Sequence, residues 1–95
     1  MAITVYGSTA CPGTQRFLAL LTAHGVMPNF VNVTGSIGLL KEFLTFRDTS
    51  PLYDSVRGTG SVGFPLILLE DGAYTRDVNQ VLADLGIPER MEFRK

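Results

Sequence analysis

The chain has 95 residues, which sets an expectation of one domain with a single modest core, spanning residues 1–95. A hydrophobic content of 45% with 18% charged residues excludes the disordered class, and a formal net charge of -1 argues against a broad nucleic-acid or anionic-membrane surface. One cysteine excludes an intramolecular disulfide, and the sequence carries no cluster of Cys and His with metal-ligand spacing.

"AITVY", residues 2–6, is a short β-branched run ended by Gly7, Ser8 and Thr9, and it reads as a first strand. From Pro12 the period changes. Phe17, Leu20, Leu21 and His24 fall at helical spacing, with Pro12 suited to the first turn and Gly25 to the position just past the end, so the spacing predicts a helix over about 11–24. "NFVNVTG" alternates Phe30, Val31 and Val33 with asparagines and closes at Gly35, which predicts a second strand. Ser36 then caps a second helix expected to carry Ile37, Leu40, Phe43 and Leu44 on one face. "SPLYDSVRG" reads as a short third helix, with Ser50 as cap, Pro51 at the first position and Gly58 as stop.

"FPLILLEDGAYT" is the clearest local signal, two apolar runs around Asp71-Gly72 that predict a hairpin with a type I′ turn. "TRDVNQVLADLGIP" places Val78, Val81, Leu82 and Leu85 on one helical face, stopped by Gly86 and Pro88. The expected order is β-α-β-α-α-β-β-α. A β-α-β opening implies parallel strands and the later hairpin adds antiparallel ones, so the fold class is α/β, a mixed four-stranded sheet with helices on both faces. No stretch approaches the roughly 20 apolar residues of a membrane span, and Met1 leads into "ITVYG" without a signal-like segment, so the expected location is cytoplasmic.

Cys11 follows the first strand and opens the first helix, where unpaired N–H groups and the helix dipole favour an anion such as a thiolate. Thr14, one turn on, has a hydroxyl able to donate to the sulfur, and it stands where a resolving cysteine would be. The plainer alternative is a buried structural cysteine, although Pro12 and Gly13 leave the sulfur's surroundings open. The lone histidine is no partner for the thiol: His24 is 13 residues along the same helix, roughly 20 Å away at about 1.5 Å per residue. It reads instead as a helix-end cation favoured by the dipole.

"CPGT" after a first strand, Gly63-Phe64-Pro65 directly before "LILLEDG", and a closing helix together resemble the glutaredoxin branch of the thioredoxin superfamily, over about residues 2–86. The resemblance implies a thioredoxin-like fold, with Cys11 as the nucleophile of thiol-disulfide exchange. Pro12, Gly63, Phe64 and Pro65 belong to the substrate edge, with a cis peptide before Pro65 and the Phe64 main chain pairing with the cysteinyl part of glutathione. Thr75, Arg76 and Asp77 match the place where the family binds the γ-glutamyl carboxylate, although Thr75 or Asp77 can serve simply as a helix cap, worth about 1 kcal/mol. The family's double glycine before the last helix and lysine before the cysteine are replaced by "DGAYTRD" and "YGSTAC".

Three functions follow as expectations. The first is a monothiol, glutathione-dependent oxidoreductase that reduces mixed disulfides on protein substrates, with no tightly bound cofactor and no metal. The second is a carrier or sensor that bridges a [2Fe-2S] cluster through Cys11 from two subunits and two external thiols. The third is a non-catalytic binding module of the same fold.

Overall fold

The computed structural model describes residues 3–54 and 64–91. In chain order it contains β1 (Thr4–Gly7), α1 (Pro12–Ala23), β2 (Asn29–Asn32), α2 (Ile37–Thr49), β3 (Leu66–Leu68), β4 (Tyr74–Thr75) and α3 (Val78–Asp84). Single 3₁₀ turns at Val33–Gly35 and Pro51–Tyr53 flank α2. The four strands form one mixed sheet in the order β2-β1-β3-β4. β1 and β2 are parallel with Val5 opposite Phe30, while β3 runs antiparallel to β1 with Ile67 opposite Val5.

Strand alternation divides the interior in two. Ile3, Val5 and Ile67 project to a cluster built with Phe17 and Leu21 of α1 and Val78, Val81 and Leu82 of α3. Tyr6 and Leu66, from the neighbouring positions, turn the other way and meet Phe43 of α2 and Tyr53. The sheet is therefore covered by α1 and α3 on one face and by α2 on the other.

Both ends of α1 obey local chemistry. Cys11 is the extended residue before the helix (φ -97, ψ 116) and Pro12 takes the first helical position, where its missing N–H costs nothing. At the far end Gly25 adopts φ 76, and Val26 N–H donates to Leu21 O at 2.8 Å while Gly25 N–H donates to Thr22 O at 3.0 Å. This paired closure is a Schellman motif, and α3 repeats it: Gly86 has φ 78, Ile87 N–H reaches Leu82 O at 2.9 Å, and Gly86 N–H reaches Ala83 O at 3.0 Å.

Three expectations are corrected. β2 ends at Asn32 rather than Gly35, because the Asn32 side chain accepts from the Thr34 hydroxyl at 3.1 Å and from Thr9 N–H at 3.4 Å, a local bonding pattern that competes with the strand ladder. Ile37 is 69% exposed, since at 3.6 residues per turn it lies about 120° around α2 from the buried Phe43. "SPLYDSVRG" opens as expected, with Ser50 Oγ accepting from Leu52 N–H at 3.3 Å and Pro51 at the first position, here of a 3₁₀ turn; residues 55–58 lie outside the described residues.

The hairpin is antiparallel as expected, but its turn is not type I′. That type needs positive φ at two adjacent residues, and of the pair only Gly72 has it (φ 89). Gly72 N–H donates to Leu69 O at 3.0 Å and Leu69 N–H to Ala73 O at 2.8 Å, giving a three-residue loop in which Asp71 Oδ1 accepts from Ala73 N–H at 2.9 Å.

Candidate functional site

Register brings the sequence-predicted residues to one end of the sheet. β1 runs toward Gly7 and releases the loop that carries Cys11, and β3 starts at Leu66 opposite Tyr6, so Pro65 enters beside the β1 exit. β4 runs back toward the same end, with Thr75 opposite Ile67, and delivers Arg76 and Asp77 to the start of α3. Cys11, Pro12, Thr14, Phe64, Pro65, Thr75, Arg76 and Asp77 thus share one edge of the molecule. Gly63 lies outside the described residues.

Cys11 is half-buried, and its side chain makes no capping hydrogen bond. Its N–H donates to Ser8 O at 3.0 Å and its carbonyl accepts from Gln15 N–H at 3.1 Å, which fixes the backbone on both sides of the thiol. Pro12 is exposed and supplies no N–H, so the amides of Gly13 and Thr14 are the first-turn donors without a helical acceptor beside the sulfur.

Thr14 is fully buried, and its hydroxyl does not serve the sulfur as expected. Thr14 Oγ1 accepts from Ser8 N–H at 3.5 Å and lies against Gly7. The hydroxyl is a loop-holding group.

Ser8 was not legible as part of the site, yet it organises the loop. It is 2% exposed, and its Oγ shares a 2.7 Å hydrogen bond with Thr34 Oγ1 while accepting from Ala10 N–H at 3.1 Å. Asn32 extends the network to Thr9. The loop that presents Cys11 is therefore tied to the end of β2. A serine in a Gly-Ser-Thr loop carries no pattern that distinguishes it from an ordinary turn residue.

The Phe64–Pro65 peptide is cis, as the resemblance implied. Pro65 is buried and Phe64 is half-buried, with its ring 4.7 Å from that of Phe43.

At the start of α3, Asp77 Oδ1 accepts from Gln80 N–H at 3.1 Å and Thr75 Oγ1 accepts from Asp77 N–H at 3.1 Å, so both act as caps. Arg76 Nη1 donates to Leu52 O at 3.4 Å, and its Cζ stands 4.8 Å from the centre of the Tyr53 ring. Its Nε is buried and has no hydrogen-bond partner among the described residues. Burial pushes the Tyr53 phenol up to about 12, a rise that the Arg76 and Arg47 charges partly oppose. Tyr53 is a second residue missed at the sequence level, because an aromatic in "SPLYD" reads equally well as ordinary core.

His24 sits at the C-terminal end of α1, as expected, and its Nε2 lies 2.7 Å from Glu89 Oε2. Among the described residues no group of three or more His, Cys, Asp or Glu side chains gathers for a metal, and no helix is long and apolar enough to cross a membrane.

No family profile matches the chain, and no solved structure does. An uncharacterised protein of Haemophilus influenzae is 34% identical over 79 residues, an alignment that covers 83% of this chain and 91% of that protein. The chain belongs to the same family as this Haemophilus influenzae protein.

Proposed function

We propose that the chain has a thioredoxin-like fold of the glutaredoxin kind and acts in the cytoplasm as a monothiol protein of glutathione-dependent thiol-disulfide exchange. The observation that carries the reading is the position of its single cysteine. Cys11 stands at the opening of α1, half-buried and without a side-chain capping bond, on the sheet end where Phe64–Pro65 leads into β3 and Arg76 precedes α3. The strand order, with one parallel and two antiparallel pairings, is compatible with such a fold.

In this reading the Cys11 thiolate attacks the glutathione sulfur of a protein–glutathione mixed disulfide. The new bond joins Cys11 to glutathione, the old sulfur–sulfur bond breaks, and the protein substrate leaves as a thiolate that takes a proton from solvent. A second glutathione thiolate then attacks the adduct, releasing glutathione disulfide and restoring Cys11. The amides of Gly13 and Thr14 favour the anionic sulfur at the start and end of the cycle. Main-chain groups of Phe64 hold the cysteinyl part of glutathione, with Pro65 beside the sulfur, and Arg76 meets a glutathione carboxylate. Thr14 contributes by shaping the loop.

The iron–sulfur alternative requires three further thiolates from outside the chain, because Cys11 is its one cysteine and so supplies one of four ligands. No observation favours it over exchange. The test is release of glutathione from a glutathionylated peptide. Turnover is expected in wild type and abolished in Cys11→Ser, and equal rates in both would refute the reading.

A further inference from the structure

The α2 face of the sheet holds a second feature, a cavity of about 170 Å³ that shares no residue with the set around Cys11. Among the described residues four aromatics line it: Tyr6 from β1, Phe43 and Phe46 from α2, and Tyr74 from β4. Phe46 and Tyr74 are 4.8 Å apart with their planes at 46°, and Tyr6 follows at 6.5 Å from Tyr74 with planes at 41°. These rings form a continuous aromatic wall. The cavity opens to water at its rim, where Tyr74 is 39% exposed and Leu39 is 37% exposed.

Among the described residues, the charge lining this cavity has one sign. Among the described residues Glu42 is the only charged group lining it, and Glu42 is exposed and takes part in neither ion pair seen there. The remaining polar side-chain atoms are the hydroxyls of Tyr6 and Tyr74, both able to accept a hydrogen bond. No Lys or Arg among the described residues faces the space. The Tyr6 phenol is pushed up from its ordinary value by burial and by the neighbouring Tyr74 and Glu42, so the carboxylate acts on the wall of the cavity.

An anion entering this space meets a carboxylate and the negative faces of aromatic rings, both repulsive. A neutral apolar molecule gains contact with the rings and leaves Glu42 uncompensated. A cation with an alkylated head satisfies both, since ring faces attract such ions within about 6 Å of the centroid and quaternary ammonium groups are the usual guests of aromatic cages. The volume suits a small head group. From this we infer that the cavity is a binding site for a small alkylammonium ion, held by the rings of Tyr6, Phe46 and Tyr74 and neutralised by Glu42.

Titration with choline and with its neutral isostere 3,3-dimethylbutan-1-ol, followed by proton NMR of the aromatic rings, tests the assignment. Choline is expected to shift the Tyr6, Phe46 and Tyr74 resonances saturably in the millimolar range, with the isostere about tenfold weaker or more. Glu42→Gln should weaken choline about fivefold and leave the isostere unchanged, and Tyr74→Leu should weaken choline by a similar factor. Both substitutions are at exposed positions, and retention of the amide spectrum checks that the fold is kept. Equal affinities for choline and the isostere in wild type would overturn the proposal, as would shifts that fail to saturate. An undiminished choline affinity in folded Glu42→Gln would do the same.

Discussion

Thr14 occupies the space that a side chain at Gly7 would need. A β-carbon built on Gly7 would lie 2.5 Å from Thr14 Cγ2 and 2.6 Å from its Oγ1, closer than non-bonded atoms approach. The last residue of β1 and the first turn of α1 are thereby pressed together, with the Cys11 loop suspended between them. Gly7→Ala is expected to cost about 1–3 kcal/mol as an overpacked substitution. Thr14→Ala removes both clashing atoms and leaves only its β-carbon, 3.1 Å away, so the double variant should lose less than the sum of the two single ones. Urea denaturation of the four proteins reads this coupling, and strict additivity would show that the contact is not limiting.

Tyr53 provides a pH signature on the opposite face of the sheet. Its phenol is pushed from 10.0 to about 12 by burial, against the opposing charges of Arg76 and Arg47. Because the folded pKa is the higher one, the folded state holds this proton more tightly than the unfolded chain does. The associated stability is fully present below pH 10 and is lost as pH rises toward and through about 12. Absorbance titration of the phenols should show Tyr53 ionising last, after Tyr6, whose phenol is raised as well, and Tyr53→Phe should remove that last step and flatten the stability loss in that window. A Tyr53 that titrates with free tyrosine would contradict the burial described here.

Arg76 is a cation at the Cys11 end of the sheet on the approach to α3, and its Nε has no hydrogen-bond partner among the described residues. If it meets a glutathione carboxylate, Arg76→Ala should raise KM for glutathione about tenfold, the scale of a charge-assisted hydrogen bond, with a smaller change in kcat. A loss confined to kcat would place Arg76 outside glutathione binding. Its contacts to Leu52 and Tyr53 also predict a lower denaturation midpoint in the variant, which is measured separately from the kinetics.

Much of the architecture was legible because punctuation and period agreed. Pro12 with Gly25, and Asp77 with Gly86, bracket helices whose buried faces fall at helical spacing, and both closing glycines adopt the positive φ that their placement implied. Asp71-Gly72 announced the hairpin but not its loop, since one residue of added length moves the positive φ from two positions to one. Ile37 misled because helical spacing identifies neighbours along a stripe and not the angle at which the stripe meets the sheet. The site was legible in Cys11, Pro65 and the Thr75–Asp77 approach, which local motifs carry. Ser8, Thr34 and Tyr53 were not, because their importance arises from partners 26 residues distant in sequence for Ser8 and Thr34, and from the Arg76 guanidinium for Tyr53. Long-range polar pairing leaves no periodic trace.

Intact mass after incubation with glutathione disulfide tests the reactivity of Cys11 most directly, because the chain has no other thiol to which an adduct could be assigned. One glutathionyl group per chain is expected in wild type, formed faster than on an unstructured cysteine peptide at the same pH, released by added glutathione, and absent from Cys11→Ser. A folded wild-type chain that takes up no adduct would contradict the exchange function and leave Cys11 a structural thiol.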